Sequence, residues 1–268
     1  MKKLVLIKLG GSLITDKNKP YTPRLKIISR LAKEIKGAYL KGFKMVISHG
    51  SGSFGHTSAA KYGTADGIFK KEDVYGLAVV QQDAIAINRI VNKIFLEEGL
   101  PVLSFVPSSF TIASNKKLAE IFAQPIIEAL KIDVLPLVFG DIILDVKRGC
   151  CIFSGEKTLD NLIGPLKKTG FKIQKVIQCG DTEGVYDKNG KTIPKITPRS
   201  FQRFKKTIGQ SGSTDVTGGM IHKIEESLKM AKKGVFTQII DGTKKGNLTR
   251  AILEDWTRGT KIVVDEES

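Results

Sequence analysis

Six apolar runs of five to eight residues recur along the chain: LVLIKL (4–9), KMVIS (44–48), PVLSFV (101–106), DVLPLVFG (133–140), KVIQC (175–179) and FTQII (236–240). They are nearly continuous rather than alternating and rich in β-branched residues, as strands of a parallel sheet covered on both faces are. Between them the period lengthens to that of a helix. Residues 24–40 place Leu25, Ile28, Leu31 and Ile35 on one face. The pattern predicts a long helix over 72–98 and further helices over 118–130 and 219–233. Strand and helix in alternation predict an α/β sandwich built on one continuous, mainly parallel sheet with two lobes. Residues 141–153 read as a β-hairpin turning at KRG, and a second hairpin is expected at KNGK (188–191).

Composition narrows the class. The chain has 268 residues, 41% hydrophobic and 26% charged, the balance of a soluble globular protein. No apolar run approaches the ~20 residues that a membrane span needs. The N-terminal MKKLVLIKLGG is basic and then apolar, but Lys8 interrupts it and no small-residue cleavage site follows. It reads as a first buried strand, not a signal peptide. Three cysteines, with no C-x-x-C pair, argue against structural disulfides or zinc and fit a reducing cytoplasm. The net charge of +16 favours anionic partners such as phosphorylated metabolites and nucleotides, or reflects a lysine-rich solvated surface. The lysines are spread over the whole chain, without the arginine- and aromatic-rich strand of a single-strand RNA reader.

Candidate chemistry concentrates in three glycine clusters. In MVISHGSGSFGHTSAA (45–60), Gly50, Gly52 and Gly55 match the spacing of a dinucleotide-binding loop. Such a site also needs a strand ending in Asp or Glu about 20 residues on. Residues 57–98 hold no convincing strand, so the loop is read as a site for another phosphate. The first strand runs into KLGGS (8–12), with Lys8 inside an otherwise apolar run. A lysine there is costly unless its ammonium emerges at the strand end to meet an anion, or snorkels from an edge. Nothing in the chain fits a Walker A loop. The third cluster is GSTDVTGGMIHK (212–223), where Thr214, Asp215 and Thr217 precede Gly218-Gly219 and a helix carries Lys223 in its first turn. A lysine there opposes the helix dipole, as expected if it serves a phosphate.

KLGGS, HGSGSFGH, GDIILD, SGE, GDTEGVYD and DVTGGMIHK stand in the order found in the amino-acid-kinase superfamily, which the chain resembles over nearly its whole length. Lys17 in TDK and His56 after GSGSFG make it most similar to the isopentenyl phosphate kinases within that superfamily. The resemblance implies an open, three-layer αβα sandwich forming one domain. An acceptor lobe covers about 1–165 and an ATP lobe about 166–268. It implies that Lys8 and Lys223 contact the transferring phosphoryl group, that Lys17 reaches the transition state, and that Asp141 orients the lysines. Gly10, Gly11 and Ser12 then line the phosphate path. Ser51, Gly52, Gly55, His56 and Gly155 hold the acceptor phosphate, and Asp181, Gly219 and Lys223 contact the nucleotide. ATP and Mg²⁺ are the implied cosubstrates, no residue is assigned to a resident metal, and a cytoplasmic homodimer is implied. Two departures stand out: Ser51 replaces a usual glycine, and CGDTEGVYD puts Gly180 where threonine is usual.

Phosphoryl transfer asks for positioning and charge neutralisation more than covalent catalysis. A phosphate monoester, with its second pKa near ~6, is already ionised at neutral pH. Such a site needs donors rather than a base. His56 is read as a donor to the acceptor phosphate or, alternatively, as the cap of a helix starting near Thr57. His49 is read as structural, packed at the strand end, and His222 as exposed. Asp141 is alternatively a turn residue. Leu77, Val80, Ala84 and Ile87 recur at helical spacing and are expected either to wall an apolar substrate tail or to be ordinary core. Other acceptors stay open at this level: another small phosphate or phosphonate, as in fosfomycin-kinase-like enzymes, or a glutamate- or nucleotide-type substrate.

Overall fold

Strand β1 (Lys3–Leu9) sends Leu4 and Leu6 into one apolar layer and Val5, Ile7 and Leu9 into another. The period of two along a strand forces that division, and it is why the run is apolar throughout. β2 (Lys44–His49) repeats it, with Val46 in the first layer and Met45 and Ile47 in the second. The computed structural model describes residues 3–64, 67, 73–205, 219–255 and 258–265.

Among the described residues the main sheet has eight strands, in the order β10-β12-β11-β9-β1-β2-β6-β3. The remaining members are β3 (Val102–Ser104), β6 (Leu135–Phe139), β9 (Lys172–Gly180), β10 (Lys195–Ile196), β11 (Thr237–Asp241) and β12 (Thr260–Ile262). Neighbours are parallel except β11 and β12. The second layer is covered by α1 (Gly11–Ile14), α2 (Leu25–Tyr39), α4 (Asp73–Glu97) and α9 (Asn247–Leu253). The first is covered by α5 (Gln124–Lys131), α6 (Gly155–Lys168) and Met230 of α8 (Gly219–Lys232). α3 (Gly52–Tyr62) packs along α4, and α7 (Pro198–Phe204) closes a satellite core with α8. This is the expected αβα sandwich.

The expectation of one continuous sheet is corrected. The chain leaves β6 at Phe139 and begins β7 (Asp141–Asp145) after Gly140, in a separate four-stranded sheet of order β5-β4-β7-β8. β7 and β8 (Gly149–Phe153) form the expected hairpin. The helix expected over 118–130 is also corrected. Asn115 and Lys116 both take positive φ, at 48° and 62°. That is the two-residue turn a tight hairpin requires, and it makes β4 (Thr111–Ser114) and β5 (Lys117–Ile121) partners, so α5 starts only at Gln124. Asp145 joins the two hairpins by accepting from the backbone N–H groups of Asn115, Lys116, Lys147 and Arg148. Burial pushes its carboxyl up, but those four donors outweigh burial and hold it at about 2. At KNGK the structure has a turn with a single bridge, Tyr186 to Thr192, rather than a strand-bearing hairpin.

Candidate active site

β1 and β2 are parallel neighbours, with Lys8 opposite Ser48 and Leu9 opposite His49. Their loops therefore leave the sheet side by side, one leading into α1 and the other into α3. They touch backbone to backbone. A Cβ on Gly11 would lie 2.7 Å from the Gly52 nitrogen, and one on Gly50 would lie 2.9 Å from the Gly11 nitrogen. These glycines are required by loop-to-loop contact as well as by any approach of phosphate. Ser51 has an ordinary φ of −75°, and its hydroxyl donates to the Gly140 carbonyl at 2.9 Å. A side chain fits here, and it ties the acceptor loop to the crossover between the two sheets.

The loops open onto a cavity of ≈ 590 Å³, within the usual size of a small-molecule site. The structure brings Lys8, Gly10, Gly11, Ser12, Lys17, Ser51, Gly52, Gly55, His56, Asp141, Gly155, Gly219 and Lys223 to its wall. α3 begins at Gly52, so His56 lies within the helix. The alternative that it caps a helix starting near Thr57 is corrected. Gly155 opens α6, where a Cβ would meet the Ser48 hydroxyl at 2.7 Å and the His49 oxygen at 2.9 Å. Ser154 caps that helix by accepting from the Lys157 N–H at 3.2 Å. Thr214, Asp215, Thr217 and Gly218 lie outside the described residues.

The acid beside the lysines is one that sequence reasoning quoted, in SGE, without assigning. Lys8 shares the face of β1 that carries Leu4 and Leu6, the face covered by α6, and Glu156 stands in the first turn of α6. Their charged ends meet at 2.5 Å, with both residues buried. Burial alone would raise the Glu156 carboxyl. The Lys8 ammonium, with Lys223 adding to it, outweighs burial and holds the group below the ordinary carboxylate range. Glu156 thus joins Asp141, the acid expected to orient the lysines, at this site. Asp141 lines the same cavity, but its carboxylate accepts from the backbone N–H of Ser108 at 3.0 Å and of Ile142 at 2.8 Å. Burial raises its pKa, and those two donors only partly offset the rise.

Asp181 does not reach the cavity wall. It follows β9, one strand from β1, and its Oδ1 is buried with no hydrogen-bond partner among the described residues, as is the Thr182 hydroxyl. Buried orphans of this kind call for a ligand or solvent partner.

Part of the lining is apolar. Val80 and Ala84 of α4 line the cavity, the first of the two alternatives expected for them, together with Ala59, Ile142, Ile152 and Phe153. Ile87 does not line it: it is buried with Val91 and Phe95 in the sheet-facing core. Leu77 packs on the neighbouring cluster of Val80, Ile142 and Cys150. The β7–β8 contribution escaped sequence analysis because the second sheet did.

His49 is structural, as expected. Its ring is fully buried and stacks on Phe139 at 5.6 Å. The Asn88 amide faces Nε2 at 3.0 Å, so Nδ1 carries the proton and donates to the Gly50 carbonyl at 3.1 Å. Burial pushes its pKa down to about 4, leaving it neutral at physiological pH.

Known proteins resemble this chain in sequence and fold. The sequence model of the amino acid kinase family matches residues 3–241. An isopentenyl phosphate kinase from Methanothermobacter thermautotrophicus is 33% identical over 97% of this chain and 98% of its own. One from Methanocaldococcus jannaschii is 33% identical over 98% of this chain and 100% of its own. An X-ray structure of an isopentenyl phosphate kinase superposes with a TM-score of 0.81 at 29% identity, over 97% of this chain and 100% of that one. With the family matched over most of the sequence and such relatives aligned end to end, the chain belongs to the amino acid kinase family, among its isopentenyl phosphate kinases.

Proposed function

We infer that the protein transfers the γ-phosphoryl group of ATP to isopentenyl phosphate, giving isopentenyl diphosphate and ADP. The observation that carries the reading is one cavity lined by two chemically opposite sets of residues: Lys8, Lys17, Lys223 and the glycine loops on the one hand, and Val80, Ala84, Ile142 and Ile152 on the other. The acceptor phosphate is ionised at neutral pH and attacks directly. The site's task is to hold two anions in line and spread the charge that builds between them. His56 donates to the acceptor phosphate from α3, and Lys17 reaches the transition state from the loop that follows α1. Lys8, held by Glu156, and Lys223, at the start of α8, face the transferring group. Asp141 braces the start of β7 beneath that group. Mg²⁺ enters as part of the ATP complex, as substrate. The nucleotide lies over the ends of β9 and β11, where the orphaned Asp181 and Thr182 atoms fit a polar ligand. On this reading residues up to about 165 form the acceptor lobe and the remainder the nucleotide lobe. The homodimer rests on the resemblance, and the cytoplasmic setting is supported by three buried free cysteines.

The deciding experiment measures ATP consumption against a panel of phosphorylated acceptors. Isopentenyl phosphate is expected to exceed polar phosphates of similar size, since each buried CH₂ of the tail contributes about 0.8 kcal/mol. No preference for the prenyl tail would overturn the assignment. Chirally labelled γ-phosphate should come through with inversion, and retention would speak for a phosphoenzyme instead.

The tail wall gives a sharper expectation. Ala84 is 2% exposed and is among the apolar residues that line the cavity. Ala84→Phe should raise KM for isopentenyl phosphate by about tenfold or more, the equivalent of one to two displaced methylenes, with KM for ATP nearly unchanged. Steady-state kinetics against both substrates checks it. A change confined to thermal stability would return Ala84 to the core.

A further inference from the structure

Lys17 sits on a loop, and the structure shows what holds that loop. Thr15 bridges to Pro23 at its neck, the Asp16 N–H donates to the Thr22 carbonyl at 2.9 Å, and the Thr22 N–H donates to the Ser53 hydroxyl at 3.3 Å. Beyond the neck the chain turns through Tyr21, whose φ is +51°. For a bulky residue that conformation is unfavourable and persists only where the surroundings over-determine it. Two contacts do so. The Tyr21 hydroxyl donates to Asp83 Oδ2 on α4 at 3.0 Å. The Tyr21 ring stands edge-on to Phe54 of α3, with centroids 5.5 Å apart and planes at 86°. Asp83 immediately precedes Ala84 of the tail wall, and Phe54 lies two residues before His56.

We propose that Tyr21 is the positioning residue for Lys17. By hydrogen-bonding α4 and packing on α3 it clamps the 16–22 loop across the acceptor end, so that Lys17 is registered against the same two helices that hold the acceptor's phosphate and tail. The proposal deepens the kinase reading and rests on it for the role of Lys17. Tyr21 touches no reacting atom. It is also 47% exposed, so its loss removes little core.

The test is a double-mutant cycle joined to amide hydrogen exchange. Tyr21→Ala should lower kcat by about tenfold, the size of a lost hydrogen bond and aromatic contact together. Tyr21→Phe, which keeps the ring, should recover about half of that loss on a logarithmic scale. In a Lys17→Met background Tyr21→Ala should change kcat by less than about twofold, because residues acting as a unit are not additive. Amide exchange over residues 16–22 should quicken in Tyr21→Ala without any substrate present, while the core strands keep their protection. Unchanged exchange in the loop overturns the clamp, whatever the acceptor proves to be. So does an equal kcat loss with and without Lys17. A wild-type protein inert toward isopentenyl phosphate would overturn the kinase assignment instead, and the exchange result would still decide the clamp.

Discussion

Glu156→Gln is expected to lower kcat by roughly 200- to 5,000-fold, the equivalent of the about 3–5 kcal/mol that losing one partner of a buried ion pair costs, taken as falling on the Lys8 that faces the transferring group, at 1.36 kcal/mol per factor of ten. Lys8 is 6% exposed and Glu156 is 4% exposed, so solvent cannot replace the lost carboxylate. Without its partner the Lys8 ammonium will swing out of register, which removes a charge from the transferring group. Glu156→Asp keeps the charge on a shorter arm and should recover part of the rate. The pH dependence has a definite sign. The Glu156 carboxyl is depressed by Lys8 and Lys223 beyond what burial raises it. Its contribution to stability is therefore complete above the unfolded value near ~4.3 and is lost as pH falls through the lower folded value. Urea unfolding of wild type and Glu156→Gln across that acid range should differ most at neutral pH and converge below it. A kcat within about threefold of wild type would show that the pair is not part of the catalytic machinery.

The second large effect is expected at Gly52. Gly52→Ala should lower stability by roughly 2–5 kcal/mol, the sum of a left-handed backbone penalty and overpacking. Its φ is +53°, and a Cβ there would fall 2.0 Å from Thr15 Oγ1 and 2.7 Å from the Gly11 oxygen. Thr15 Oγ1 cannot step aside cheaply. It donates to the Gly11 carbonyl at 2.8 Å and accepts from the Ser53 N–H at 2.9 Å, joining the two glycine loops. Relief must come from parting those loops, so KM for the acceptor should rise along with the fall in Tm. Gly37→Ala is the matched control. Gly37 lies within α2 and a Cβ there would meet nothing within 4 Å. It should hold or raise Tm by the helix preference of alanine, about 0.5–1 kcal/mol. Equal Tm values for Gly52→Ala and wild type would mean that the loops are not rigidly joined.

Much of this molecule was legible in one dimension. Unbroken apolar runs identified β1, β2, β6, β9 and β11 as buried strands, because a strand covered on both faces has no solvent side to pattern. The 3.6 period marked α2, α4 and α8 within a residue or two. Lys8 stood out because a charge inside such a strand needs a partner, and the glycine loops because they follow strands. The loops' order along the chain, with Lys17 and His56, was enough to indicate the family and hence the chemistry.

Other features depended on distances that no local pattern carries. β4 and β5 are short and half-exposed, so their register came from an Asn115-Lys116 turn, and residues 118–121 passed for helix. The second sheet arises because the chain changes partners at Gly140, and with it Ile142, Ile152 and Phe153 line the cavity while Ile87 is withdrawn into the core. Two residues 148 positions apart, Lys8 and Glu156, become an ion pair only because α6 covers the Leu4–Leu6 face of β1. The strained turn at Tyr21, which is silent in the sequence, follows from two helices meeting beside it. The sequence by itself determined which segments must be buried and which chemistry the chain carries, since both are properties of residue types at short spacing. The tertiary structure alone decided which acid pairs with Lys8 and which apolar side chains line the cavity, because those depend on contacts between segments far apart in the chain.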